Sequence, residues 1–85
     1  MNDKKLSKDL IGKLVVTKEG KRIGLVRDIS FETRSGELIH LVLSSPTQYA
    51  ATLNIEQGKA GELLVPFSAI MAIGDFVVVS EEDMR

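Results

Sequence analysis

The sequence predicts a compact all-β barrel of about six short strands with one short helical turn. Three observations lead to this fold class: short runs of β-branched and other apolar residues recur along the chain, glycines lie in the turns between many of them, and helical periodicity is almost absent. The chain has 85 residues, which suffice for one domain. We therefore expect a single domain over residues 1–85, with flexible ends at residues 1–5 and 80–85.

The first elements follow a polar N-terminal segment. Residues 7–10 predict one helical turn, which would cover an end of the core with its apolar side chains. Residues 14–17 are rich in β-branched side chains and predict the first strand. The turn at residues 18–21 contains Gly20, which can adopt the positive φ that a hairpin turn often needs.

The longest strand is predicted over residues 21–31, and the neighbouring segments are expected to pair with it. Its apolar side chains mostly occupy odd positions, so they would share one face. Gly24 lies inside this run, where a glycine often marks a bulge or a close backbone approach. A bulge there would reverse the alternation, so that Val26 instead of Leu25 would point inward. A long bent strand of this kind can belong to both halves of a small barrel.

The third strand is predicted over residues 38–43, which are apolar on both faces except for His40. A strand in a small barrel normally has one face in water, so the outer face, with His40 and Val42, is expected to be covered. Either the following insert or a second subunit would cover it. Pro46 ends the strand because proline has no amide hydrogen to donate.

Residues 47–61 form an insert that we expect to contain an extra hairpin. Apolar side chains alternate over residues 49–55, which favours a strand. A glycine-containing turn would connect this strand to residues 62–65. A loop of this length without secondary structure would be unusual in so compact a domain.

Four short elements are predicted after the insert: a strand at residues 63–65, a helical or 3₁₀ turn at 67–70, a return to the sheet at 71–73 and a last strand at 76–79. Gly74 and Asp75 predict a type II′ turn between the last two strands. The acidic residues 80–85 are expected to form a mobile tail.

The composition argues against several classes of function. The formal net charge of −1 argues against general binding of nucleic acids. No apolar run approaches the roughly 20 residues of a membrane span, and the N-terminus lacks a signal peptide, so we expect a cytoplasmic protein. With no cysteine and one histidine, no cofactor and no metal site are expected. Because so small a core gives little net stability, we expect at least a dimer.

The polar residues indicate structural roles, and we expect no enzymatic activity. His40 is the one conventional base, and because no partner residues recur near it in the sequence, a structural or interface role is expected. Asp28 is expected to accept hydrogen bonds from turn amides. The densest basic group is interleaved with carboxylates, which predicts a solvated face; it comprises Lys18, Lys21, Arg22 and Arg27.

Three segments together resemble the PRC-barrel family. They are LIGKLVVT at residues 10–17, GKRIGLVRDI at 20–29, and VPFSAI at 65–70 followed by IGDFVVV at 73–79. The resemblance covers nearly the whole chain except the insert. It implies a PRC-type barrel, similar to the cytoplasmic domain of the photosynthetic reaction-centre H subunit and to the C-terminal domain of the ribosome maturation factor RimM.

The resemblance also implies a function. Free-standing PRC-barrel proteins of this length are similar to archaeal ones, some of which are cell-division adaptors of the CdpB type that contact SepF, the membrane anchor of the FtsZ ring. This implies a non-enzymatic, homodimeric adaptor that binds another protein. Two alternatives are an RNA-processing or ribosome-assembly factor similar to the RimM C-terminal domain, and a small-ligand sensor that uses the barrel mouth. The expected protein interface contains five residues: His40, Val42, Tyr49, Leu53 and Ile55.

Overall fold

The computed structural model describes residues 9–31, 34–36, 38–53, 55–58 and 60–84. The elements that lie wholly within these residues are seven strands, one α-helix and two 3₁₀ turns: β1 (Leu14–Thr17), β2 (Arg22–Phe31), β3 (Leu38–Ser44), α1 (Gln48–Ala51), β4 (Glu56–Gln57), β5 (Leu63–Pro66), a 3₁₀ turn (Phe67–Ala69), β6 (Ile70–Ile73), β7 (Phe76–Val79) and a second 3₁₀ turn (Glu82–Met84). The strands form one sheet in the order β4-β5-β3-β2-β1-β7-β6. β1 and β7 are parallel, and the other neighbours are antiparallel. The small all-β barrel predicted from the sequence is thus confirmed.

The long central strand β2 contains two bulges. Ile23 is the extra residue opposite β1, and Arg27 is the extra residue opposite β3. The first bulge reverses the alternation, so Val26 is buried while Leu25 is 39% exposed. This confirms the bulged alternative predicted from Gly24. Gly24 also allows a close backbone approach, since a Cβ atom there would lie 2.8 Å from the carbonyl oxygen of Ser44.

The core lies on the inner face of the curved sheet. Alternate residues of β1, β3, β5 and β7 point into it, as the period of a strand requires. The buried apolar residues form one cluster: Leu10, Val15, Ile23, Val26, Leu41, Leu43, Ala50, Ile55, Leu63, Val65, Ala69, Val77, Val79 and Met84. Full burial of a side chain such as Leu41 contributes about 1.5–3 kcal/mol, so this cluster is the main source of stability.

The insert differs from its prediction, because residues 49–53 and 55 do not form a strand. The helix α1 stands at the start of this segment, and the extra hairpin is reduced to the two-residue strand β4 paired with β5. Thr47 caps the helix, since its Oγ1 accepts a hydrogen bond from the amide of Ala50 at 3.2 Å. Tyr49, Ala50 and Leu53 all face the core, which is a helical spacing. The alternating pattern had assigned Ala50 to the opposite face from Tyr49.

Two predicted turns that contain glycine, those at Gly20 and Gly74, give different outcomes. Gly20 has a φ of 86°, as predicted for the hairpin between β1 and β2. Gly74 does not adopt a positive φ, so the turn between β6 and β7 is not of type II′ and that prediction is wrong. The amide of Gly74 instead donates to the carbonyl oxygen of Phe76 at 2.9 Å, which closes the turn.

The ends of the described chain pack against the barrel. Asp9 and Leu10 are helical, and Leu10 is buried; the other residues of the predicted N-terminal turn and the expected flexible residues 1–5 lie outside the described ranges. At the other end, where a mobile tail was expected, the amide of Ser80 donates to the carbonyl oxygen of Ala69 at 2.8 Å. The following 3₁₀ turn buries Met84 in the core. Every helix in the described ranges is too short or too polar to span a bilayer.

Candidate protein-interaction surfaces

The outer face of β3 carries two of the five residues predicted for the interface. Leu41 and Leu43 point into the core, so His40 and Val42 point outward, where both are partly buried. His40 Nε2 lies 3.9 Å from Oε1 of Glu56, a residue of β4. The His40 side chain therefore reaches across β5 to the exposed carboxylate of Glu56.

Neighbouring strands extend this face into a mixed surface. On β5, Leu64 pairs with Val42 and Pro66 pairs with His40, and both are partly buried. On β2, Asp28 and Ser30 occupy the matching positions. Asp28 is exposed and its Oδ1 accepts a hydrogen bond from the next amide in the strand at 2.8 Å, so it is not the buried acceptor of turn amides that was predicted. We call this surface the His40 face: Asp28, Ser30, His40, Val42, Glu56, Leu64 and Pro66.

The other three predicted residues lie in the insert. Tyr49 and Leu53 are partly buried against the core, whereas Ile55 is 8% exposed and belongs to the core itself. Ile55 therefore has almost no area to offer a partner. The Tyr49 hydroxyl donates to a carboxylate oxygen of Glu81, and this hydrogen bond is the main reason why the pKa of Tyr49 is raised; Lys21 Nζ lies 5.8 Å from the ring centroid. These contacts hold the insert against the barrel and the C-terminal segment.

A separate apolar surface covers the outside of β1 and its neighbours. Because Val15 and Val77 are buried, Leu14 and Phe76 point outward from β1 and β7. Leu14 pairs with Leu25 of β2 on one side and with Phe76 on the other. These three side chains form one cross-strand row, in which Phe76 is 53% exposed.

A second row lies beside the first. Val16 pairs with Arg22 on β2 and with Val78 on β7, and Val78 pairs with Ala72 on β6. We call the apolar residues of the two rows the outer strip: Leu14, Val16, Leu25, Ala72, Phe76 and Val78. Met71, which is 57% exposed, borders this strip on β6, whereas the exposed Ile73 pairs with the inward-pointing Val77 and so lies on the other side of the sheet.

The outer strip was not among the residues predicted from the sequence, although a signal was present. LVVT at residues 14–17 and FVVV at 76–79 are apolar on both faces, as residues 38–43 are. The same reasoning that predicted a cover for β3 therefore applied to β1 and β7. Their parallel pairing, which joins the two runs into one surface, is a contact between opposite ends of the chain and leaves no local sequence pattern.

The described residues offer limited means for chemistry. No group of three or more His, Asp or Glu side chains in the described ranges could hold a metal ion. A shallow depression of about 170 Å³ lies beside the second bulge of β2, and it is smaller than the roughly 300–1,000 Å³ of typical ligand sites. Its lining carries both a cation and a carboxylate: Arg27, Leu43, Ser44, Ser45, Pro46, Ala60, Gly61 and Glu62.

Comparison with known proteins agrees with the fold. The sequence matches the PRC-barrel domain over residues 2–84. It is also similar to the uncharacterized protein MJ1118 of the archaeon Methanocaldococcus jannaschii, with 29% identity over 83 residues, which span 98% of this chain and 89% of that protein. The name of this relative assigns no activity to it.

Proposed function

The chain belongs to the PRC-barrel family, and from this we propose that it is a non-enzymatic, homodimeric adaptor that binds a second protein through the outside of its barrel. The family indicates a small binding module. The observation that carries the proposal is the amount of apolar side chain on outward positions, with Phe76 and Met71 both more than half exposed. Contiguous exposed apolar surface marks sites of protein interaction.

An adaptor needs one surface for its own copy and one for its partner, and the His40 face has the composition of a partner site. Val42, Leu64 and Pro66 provide an apolar centre, and His40 and Glu56 lie at its border. An apolar centre with a polar rim is the usual anatomy of a protein interface. We therefore assign partner binding to the His40 face.

Tyr49 and Leu53 are a second candidate for partner contact, at the end of the barrel. Both are partly exposed, but both also anchor the insert to the core. A charged substitution at either position would disturb the fold as well as the surface. Val42, an outward residue of β3, is therefore the better position for a test.

From the resemblance to archaeal cell-division adaptors, we propose that the partner is SepF. The similarity to an archaeal protein supports this branch of the family. The adaptor would then act in archaeal cell division, in the cytoplasm, and would reach the membrane through SepF rather than by inserting itself.

Binding of purified SepF, measured by isothermal titration calorimetry, tests the proposal. Val42→Glu should weaken binding by about 30-fold or more, as expected for loss of an interface hot spot. Ile11→Glu is the matched control, since the Ile11 side chain is 46% exposed and lies outside both the His40 face and the outer strip, and this variant should bind SepF like the wild type. Circular dichroism would verify that both variants fold.

Two results would contradict the proposal. Absence of measurable SepF binding by the wild type would exclude this partner. RNA binding whose logarithm of affinity falls with the logarithm of salt concentration, with a slope of a few units, would favour the ribosome-assembly alternative.

A further inference from the structure

We propose that the outer strip is the homodimer interface, with the strips of two copies packed face to face around a twofold axis. This inference rests on the homodimer of the proposed function and specifies its surface and its geometry. It leaves the His40 face of each copy free, so that a dimer would present two partner sites.

The first reason is the amount of apolar area. An aromatic side chain presents about 200 Å², so Phe76 leaves roughly 100 Å² in solvent. Together with Leu25 and Met71, the exposed area reaches roughly 250–300 Å², which is close to the main patch of a typical monomer. A stable interface buries about 800 Å² per partner, of which about 60% is apolar. The strip and its border thus supply most of the apolar area that a dimer needs.

The second reason concerns the way in which two sheets can meet. β6 is an outer strand of the sheet, but it has four residues and Met71 forms a bulge in it. Short length and a bulge are features that prevent an edge from pairing with another chain. The other outer strand, β4, has two residues, and one of them is Glu56. Packing of the two outer faces, as in a β-sandwich, is therefore favoured over continuation of the sheet.

The third reason is the arrangement of charge around the strip. The six residues of the strip are apolar. Arg22, beside Val16 on β2, is at one corner, and Asp75, in the turn between β6 and β7, is at the opposite corner. Both side chains are exposed. Lys13 also lies at the Asp75 end, where its Nζ donates to the carbonyl oxygen of Gly74.

This arrangement fits a second copy better than an unrelated protein. In a twofold interface, every contact of one residue with a second is repeated with the roles of the two copies exchanged. A twofold axis that lies in the interface plane, through the middle of the strip and perpendicular to the line between Arg22 and Asp75, would bring Arg22 of one copy to Asp75 of the other, twice per dimer. The same axis would pack Phe76 against the apolar rows of the opposite strip.

Sedimentation of the full chain over a wide concentration range tests the proposal. Phe76→Glu should raise the dimer Kd by about 30-fold or more, because it removes the most exposed aromatic anchor and places a charge in the strip. Phe31→Glu is the matched control: Phe31 is 38% exposed and lies six residues beyond Leu25 on β2, about 20 Å away, so its dimer Kd should equal that of the wild type.

A charge exchange tests the twofold geometry and uses only exposed side chains. Arg22→Asp alone and Asp75→Arg alone should each raise the dimer Kd several-fold, because each places like charges in contact. The double variant should recover most of the lost affinity. An absence of recovery, with both single variants weakened, would overturn the twofold arrangement.

The outcomes separate this inference from the proposed function. If the wild type dimerises and Phe76→Glu dimerises equally well, the strip is not the interface, while the adaptor proposal stands. If Phe76→Glu keeps the dimer but loses SepF, the strip is the partner site and the inference fails. If the wild type sediments as a monomer at every concentration, both the homodimer and this inference fail. If Phe76→Glu does not fold, the charge exchange decides.

Discussion

Replacement of Gly24 by alanine should destabilise the barrel more than its small size implies. Gly24 is buried in β2, next to the bulge at Ile23. A Cβ atom at this position would lie 2.8 Å from the carbonyl oxygen of Ser44 and 3.6 Å from the Cβ atom of Leu43. The oxygen belongs to the backbone of β3, so the new methyl group can be accommodated only if two paired strands move apart.

The magnitude follows from two opposing effects. Insertion of a methylene-sized group into a packed site costs about 1–3 kcal/mol, and contact with backbone rather than with a flexible side chain favours the upper end. Loss of backbone freedom in the unfolded chain returns about 0.4–1 kcal/mol. The net loss in the free energy of unfolding should therefore be about 2 kcal/mol. For a domain of this size, that loss lowers Tm by roughly 8–16 °C.

Urea denaturation monitored by circular dichroism measures the free energy of unfolding, and a thermal scan of the same samples measures Tm. Gly74→Ala is the matched control, since no atom beyond its neighbours in the chain lies within 4 Å of the position of its Cβ and its φ is not positive. It should be neutral or slightly stabilising. A Gly24→Ala variant whose unfolding free energy lies within about 0.5 kcal/mol of the wild type would refute the close approach of β2 and β3.

Three further changes test other contacts. Thr47→Ala should lose about 1–2 kcal/mol in chemical denaturation, because the cap of α1 and the hydrogen bond from its hydroxyl to the Arg22 carbonyl oxygen disappear; Thr47→Ser should retain most of the stability. Met84→Ala should lose about 2–4 kcal/mol in the same assay, whereas a mobile tail would give no change. Tyr49→Phe should remove a pH dependence of the free energy of unfolding. Because the pKa of Tyr49 is raised in the folded state, its protonated hydroxyl stabilises the fold below the usual pKa of 10.0, and this stabilisation is lost as pH rises through the folded pKa. Denaturation midpoints of the two proteins should therefore converge at alkaline pH.

The central part of the fold could be predicted because its signals are local. β1 has its predicted bounds at residues 14–17, and β7 has its predicted bounds at 76–79, since β-branched runs bounded by turn residues specify short strands. The inward position of Val26 followed from one glycine in β2. Membership of the PRC-barrel family agrees with the resemblance of the segments that contain these strands.

The insert could not be predicted correctly because α1 depends on distant contacts. A helix of four residues has no stability of its own. It exists because Thr47 is bonded to the backbone of β2, through its amide to Ile23 and through its hydroxyl to Arg22, and because Ala50 is buried. None of these contacts is visible in the alternation of residues 49–55. Burial of Met84 was likewise hidden by the acidic residues around it.

Substitutions of the outward residues of β1 and β7 can distinguish the stability of the single barrel from the stability of the proposed dimer. Only the inward residues of these strands, such as Val15 and Val77, are buried in the core. Phe76 and Val78 face solvent in the single chain and contribute to it mainly through cross-strand pairs, each worth about 0.2–1 kcal/mol. Their side chains gain full burial only if another surface covers them.

Substitution of Phe76 and Val78 by threonine tests this distinction. Threonine keeps the preference for strands, so the double variant should lose no more than about 1–2 kcal/mol of unfolding free energy when wild type and variant are compared as dilute monomers. At higher concentration, the wild type should gain stability by mass action while the variant should not. An equal gain in both proteins would mean that the dimer forms without the outer strip. A loss of the variant's folded state under dilute conditions would mean that these two residues belong to the core rather than to a surface.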